Sequence, residues 1–290
     1  MLKLNRIRAG LGYGSWAIIA AFFSATGAFA ADAPSYLLKG DYQEMRSKNS
    51  IRFLIHGEAD HLPRSGDPRA AERALAQKLA NRLGVTAVFI SVAEQDDLID
   101  QLNDGHGDVI VGSLAVTAAR SKRIAFSRPI RFVDQLVVVH ASDTSIQELA
   151  DLAGREVTVR EGSSYAEALD NAKVKGIRLK VAPPTMQTFD LLQKVGRGEE
   201  KITVADYDLY AAASAFAPNI RSAFKLVEKQ PIAWGLRRNN PDLKAAIDAF
   251  LVEHALTQDG EETYFADLEE IKKRKVLRRL TRNKHHFLHL

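Results

Sequence analysis

DVIVGSLAVTAARSKRIAFSRP, residues Asp108–Pro129, joins a short apolar strand to a loop that carries Arg120. Asp108–Val111 is apolar and β-branched enough to be a buried strand, Gly112-Ser113 ends it, and the chain turns apolar again at Ile124. A guanidinium held at the carboxyl end of a strand, beside a small hydroxyl and free backbone N–H groups, suits a planar anion. Its fork can give a carboxylate two parallel hydrogen bonds. One arginine after a strand is a weak signal alone, and a solvated arginine at a helix start satisfies the same spacing.

Working outward, strands and helices alternate. Upstream, Ile51–His56 is a strand, and Pro68–Leu83 is a helix on which Ala71, Leu75, Leu79 and Leu83 recur at helical spacing until Gly84. Val85–Val92 is a second strand, and a helix over Gln95–Leu102 stops at Gly105. Strands separated by helices of this length imply a parallel sheet with right-handed crossovers, and such sheets bind ligands at the carboxyl ends of their strands. The site is therefore expected between His56–Asp60 and Ser113–Arg120.

Downstream, Phe132–His140 is apolar enough to cross buried from one lobe to another. A second lobe follows, with a helix over Ile146–Leu152, a strand over Glu156–Arg160 and a helix from Ser164 opened by Gly162-Ser163. Free N–H groups and the hydroxyls of Ser163 and Ser164 at that helix start can bind an anion, and a plain helix cap accounts for Ser163 equally well. A helix over Met186–Val195 leads to the strand Ile202–Ala205, which ends in Asp206. A carboxylate at the tip of a buried strand needs a cation or several donors. A ligand ammonium would serve; so would a capping role for the helix Tyr207–Ala213. Lys229–Arg237 then reads as a second crossover, followed by Asn240-Pro241 and a helix over Asp242–His254.

The order Gly112-Ser113-Leu114, Thr117, Arg120, Phe126-Ser127 and Pro129 resembles the signature of the family 3 extracellular solute-binding proteins, periplasmic receptors for amino acids and related small ligands. The apolar strand with Trp234 followed by Asn240-Pro241 and a helix is shared with them too. The resemblance covers most of the mature chain and implies an α/β, two-lobed type II periplasmic-binding-protein fold, its ligand cleft lying between lobes joined by two crossover strands. It also implies that Arg120 holds a ligand carboxylate, helped by Ser113, Thr117 and the Ser163-Ser164 turn, and that Asp206 binds an amino group; His56, at the carboxyl end of the first strand, joins these as a candidate contact on the sheet argument alone. Ala118-Ala119 stands where the family has an acidic or polar residue before the arginine. Ala74 stands where the first long helix usually carries an acid, and no aromatic follows the first strand within His56–Leu62, so an ordinary amino acid is not assured as ligand. Gln230-Pro231-Ile232-Ala233-Trp234 is similar to the receptor-like region of membrane-bound lytic transglycosylase F-like proteins.

Met1–Ala30 has the three parts of a secretory signal: Lys3, Arg6 and Arg8, an apolar centre at Ala17–Phe23, and Ala28-Phe29-Ala30 for cleavage. The expected division is signal peptide 1–30, leader 31–49, lobe 1 from 50–135 and 232–266, lobe 2 from 136–231, and a basic tail 267–290. The absence of cysteine excludes disulfides and cysteine-based nucleophiles or metal sites. Of the 40 Lys and Arg, three lie in the signal and eight in the last twenty residues, so 29 face 36 acidic residues in the body. That balance lacks the electrostatic footprint of nucleic-acid binding.

No Gly-x-Ser-x-Gly elbow, Walker loop or His-Glu-x-x-His is present, and the chain carries no Glu-Ser helix of a transglycosylase after the receptor-like region. His285, His286 and His289 lack acidic partners nearby and read as a solvated tail. The expectation is a monomeric, non-catalytic receptor without cofactor or metal, whose partners are a small ligand, a membrane transporter or sensor, or peptidoglycan fragments. Its alternative is a non-catalytic regulatory part or remnant of a transglycosylase F-like protein. Finally, Asp267–Thr281, DLEEIKKRKVLRRLT, aligns without gaps with Asp41–Ile55, DYQEMRSKNSIRFLI. That repeat predicts the opening of a second receptor-like domain, with at most a solvent-facing helix at Leu268–Lys275 and a mobile end.

Overall fold

The computed structural model describes residues 38–57, 68–183 and 186–254. The expected signal, the loop after Gly57 and the basic tail with its repeat lie outside the described residues.

The first lobe opens with helix α1 (Tyr42–Ser47) and strand β1 (Ser50–His56), followed by helix α2 (Pro68–Leu83) and strand β2 (Thr86–Val92). A 3-10 turn at Gln95–Asp97 runs into α3 (Leu98–Asp104), which Gly105 ends in the left-handed conformation that glycine takes without steric penalty. Then come β3 (Val109–Ile110), the single-turn helix α4 (Ala118–Ser121) and β4 (Ala125–Phe126). The second lobe holds β5 (Arg131–His140), β6 (Glu156–Arg160), α5 (Ser164–Asn171), β7 (Arg178–Ala182), α6 (Thr188–Gly196), β8 (Ile202–Asp206), α7 (Tyr207–Ser214) and β9 (Ile220–Ile232). The chain returns to the first lobe as β10 (Gly235–Leu236) and closes with α8 (Pro241–His254).

Each lobe is built on its own five-stranded mixed sheet, in the orders β2-β1-β3-β10-β4 and β7-β6-β8-β5-β9. β1 is parallel to β2 and β3, whereas the returning β10 is antiparallel to β3 and β4. In the first lobe, Ile51, Phe53, Trp234 and Leu236 pack under Leu75 and Leu79 of α2 and Leu243 and Ile247 of α8. In the second, Val137, Val139, Val157 and Val204 form the centre. The lobes join where β5 and β9 run side by side, with Arg131 opposite Ile232, Phe132 opposite Pro231 and Val133 opposite Gln230. Both crossovers are thus tied to one another by ladder hydrogen bonds.

The helix expected over Ile146–Leu152 is only a 3-10 turn at Leu149–Leu152. Arg221 donates from Nε to Asp143 O and from Nη2 to Ile146 O, and the second of these carbonyls is one that a helix beginning at Ile146 would use internally. Strand β7 and the first half of β9 were not legible in the sequence, and both are sheet edges with alternating polar residues.

Candidate functional site

The loop after β3 reaches the carboxyl end of the first sheet in a strained conformation, with φ of 139° at Gly112 and 55° at Ser113. A serine in the left-handed region needs compensation. Glu72 of α2 supplies it, accepting hydrogen bonds from Gly112 N at 3.0 Å, Ser113 N at 2.9 Å and Ser113 Oγ at 3.0 Å. Glu72 is 1% exposed. The sequence reading puts Ala74 where the first long helix usually carries an acid; the helix delivers an acid to the site two residues earlier, as Glu72. Glu72 lies on the buried stripe with Leu75, Ala76 and Leu79, and an acid on an apolar stripe was the signal that could have revealed it.

Thr117 caps α4 by accepting from Arg120 N at 3.3 Å. This turn aims the arginine across the cleft. Its Nη1 donates to Ala115 O at 3.0 Å in its own loop, and its Nη2 donates to Gly162 O at 3.2 Å in the second lobe. Ala119 N, one residue earlier, donates to Glu167 Oε1 on α5. Arg120 and the Gly162–Ser164 turn therefore meet across the two lobes. Within that turn Ser163 caps α5 by accepting from Ala166 N, and its Oγ donates to Arg160 O. Ser164 Oγ instead accepts from Gln135 Nε2 at 3.0 Å. His56 ends β1, half-buried at the same end of the sheet.

Asp206 stands at the tip of β8, 7% exposed, and its side chain makes no cap hydrogen bond to α7. The capping role is thus not the one its side chain plays. Asp206 Oδ1 and Gln135 Oε1 are buried acceptors with no hydrogen-bond partner. Burial, and secondly the charge of Asp208, push the Asp206 carboxyl up to about 7, against the opposing pull of Arg131, Tyr165 and Gln135. Burial likewise raises Tyr165, whose hydroxyl accepts from Asp206 N at 3.2 Å.

Arg131, the first residue of β5, links these groups. Its Nη2 donates to Ser113 Oγ at 2.9 Å, its Nη1 lies 3.0 Å from Asp208 Oδ2 on α7, and its Nε lies 3.8 Å from Glu72 Oε1. Burial raises the Glu72 carboxyl too, and Arg131 and the loop amides oppose that rise. Neither Arg131 nor Asp208 was singled out in the sequence, where one reads as a strand flank and the other as an ordinary residue of a helix first turn.

This geometry sets a guanidinium of the first lobe against a turn of the second, and leaves one oxygen of the buried Asp206 in the second lobe without a donor. Among the described residues no group of His, Asp and Glu is arranged to hold a metal ion.

The chain is 35% identical over 187 residues to a membrane-bound lytic murein transglycosylase F of Desulfosudis oleivorans, a match covering 64% of this chain and 41% of that protein. A protein of the same name from Pseudomonas fluorescens is 26% identical over 81% of this chain and 48% of its own length. The chain therefore spans less than half of these curated relatives. Among solved structures, the arginine-bound form of truncated ArgBP from T. maritima superposes with a TM-score of 0.61 at 25% identity, covering 73% of this chain and 99% of that one. An amino acid ABC transporter substrate-binding protein from Streptococcus pneumoniae, at 18% identity and a TM-score of 0.64, shares the fold. These likenesses identify the two lobes as the type II periplasmic-binding fold. The model of the bacterial extracellular solute-binding proteins, family 3, matches residues 64–265, and the chain belongs to that family.

Proposed function

We propose that this protein is a periplasmic receptor that captures a small ligand bearing both a carboxylate and an ammonium, closing its lobes around it for transport or sensing. Arg120 holds the carboxylate from the first lobe, with Thr117 fixing its turn and the Ser163-Ser164 turn facing it. Asp206 holds the ammonium from the second lobe. The observation that carries the reading is the buried, donorless Oδ1 of Asp206, whose neighbour Gln135 donates to Ser164 in the same turn that Arg120 reaches across the lobes at Gly162. A buried acceptor without a donor is costly, and a ligand N–H⁺ removes that cost. A ligand touching both lobes binds the closed form better than the open one, and only such a difference drives closure.

A second reading is favoured by the names of the sequence relatives: the chain is the non-catalytic regulatory part of a transglycosylase F-like protein, its ligand a peptidoglycan fragment. Both readings place the protein in the cell envelope and assign it no chemistry of its own.

A thermal-shift screen of amino acids, short peptides and muropeptides identifies the ligand and separates the two. Arg120→Ala is expected to weaken the ligand found by about 2–4 kcal/mol, because it strips a buried charge of its partner. Undiminished binding by that variant overturns the carboxylate assignment, and reproducible release of soluble fragments from peptidoglycan by repurified protein overturns the absence of catalysis.

A further inference from the structure

We infer that Arg131 is a built-in counter-ion that occupies the acidic part of the cleft and restricts the receptor to zwitterions without a further positive charge. The inference rests on the reading of Arg120 and Asp206 given above and goes beyond it to the ligand's side chain. Three carboxylates meet at the junction of the lobes: Glu72 from α2, Asp206 from β8 and Asp208 from α7. All three are buried. They are not equivalent. Glu72 is held by two loop amides and the Ser113 hydroxyl, and Arg131 stands beside it. Asp208 lies against the same guanidinium at 3.0 Å. Asp206 Oδ1 and Asp208 Oδ2 both lack a hydrogen bond, but the Asp208 oxygen lies against Arg131, so Asp206 offers the open oxygen, and one ligand ammonium uses it up.

A basic side chain on the ligand would need a second acid. Those within the cluster are Glu72 and Asp208, and both already face Arg131, whose side chain is 9% exposed. The incoming cation would meet a fixed guanidinium of like sign in a buried setting, where charges are poorly screened. Arg131 is itself fixed, because Ser113 Oγ accepts from its Nη2 while that hydroxyl is anchored on Glu72. In effect the chain supplies the basic group that a receptor for arginine or lysine takes from its ligand. Likeness of fold to arginine-bound structures is therefore no guide to the side chain this cleft accepts.

The test combines titration calorimetry with thermal unfolding. Wild type is titrated with alanine, glutamine, arginine and lysine, and Arg131→Ala is unfolded with and without ethylguanidinium. The neutral amino acids are expected to bind wild type more tightly than arginine or lysine by about a hundredfold, the scale of a buried like-charge juxtaposition. Arg131→Ala leaves Glu72 and Asp208 facing a cavity, so millimolar ethylguanidinium should raise its melting temperature while leaving wild type unmoved. The same variant should gain response to arginine. Tight binding of arginine by wild type overturns the inference, as does a variant indifferent to both ethylguanidinium and arginine. If the variant folds only in the presence of ethylguanidinium, that dependence supports the inference. If no amino acid binds wild type, the reading of Arg120 and Asp206 has failed, and the ethylguanidinium response still decides the role of Arg131.

Discussion

Asp206 makes the proposed site sensitive to pH, and the direction follows from its burial. Its carboxyl titrates near 7 in the folded chain, above the ordinary carboxylate range. A group whose pKa is raised by folding binds more protons folded than unfolded, so this residue's contribution to the unliganded fold is full below about pH 4, its ordinary value, and is lost as pH rises through 7. Glu72, also raised, acts in the same direction. Ligand binding has the opposite slope, because an ammonium needs the ionised carboxylate. Affinity is expected to rise between about pH 5.5 and 8, with proton release on binding near pH 6.5 seen as a buffer-dependent heat. Asp206→Asn should abolish the rise of affinity with pH and the buffer-dependent heat while leaving the part of the stability slope due to Glu72, and affinity flat with pH in wild type would contradict the ammonium assignment. Ser163 and Asp206 stood out in the sequence at a helix start and a strand tip, and Arg120 and Thr117 through the resemblance of their loop to the family signature. Glu72, Arg131 and Asp208 could not, since the contacts that define them join residues from three distant parts of the chain.

At the scale of elements, residues 38–49 pack onto the first lobe. Asp41 accepts from Tyr42 N at the start of α1 and from Asp242 N and Leu243 N at the start of α8, so one carboxylate caps two helices about 200 residues apart in sequence. Just before it, Gly40 O accepts from Asn240 Nδ2, and Leu38 O accepts from Arg52 Nη2. Asp41→Ala is expected to cost about 2 kcal/mol in a denaturant melt, because a single cap is worth about 1 kcal/mol and two are lost. A change below about 0.5 kcal/mol would show that α8 does not depend on the leader. The elements legible in advance had strong periodicity or firm stops: α2 ends at Gly84 as its spacing requires, and β6 and α5 start where Glu156 and Ser164 suggest. The edges were not legible. Arg178–Ala182 has too few apolar residues to declare itself a strand, and only pairing with β6 makes it one.

For the whole molecule, the two-lobed plan was legible because the chain leaves the first lobe at Phe132 and re-enters it at Trp234, each within an apolar run. What sequence could not show is how the crossovers lock, since the ladder between Arg131–Val133 and Gln230–Ile232 is a pairing of segments about 100 residues apart. Trp234 follows the return crossover and is fully buried against Phe53, with ring centroids 6.4 Å apart. Trp234→Ala is expected to destabilise the protein by about 3–5 kcal/mol, the usual cost of emptying a large core site. A loss below about 1 kcal/mol would mean that the returning strand is not integral to the first lobe's core. The central claim concerns the ligand. Titration calorimetry of wild type at pH 8 against matched compounds tests it most directly: the zwitterion found by screening, its ester lacking the carboxylate charge, and its deaminated acid lacking the ammonium. Saturable binding of the zwitterion alone, with both derivatives weaker by at least about tenfold, is the predicted result, since each loses one charge-assisted contact. Equal binding of either derivative would contradict it.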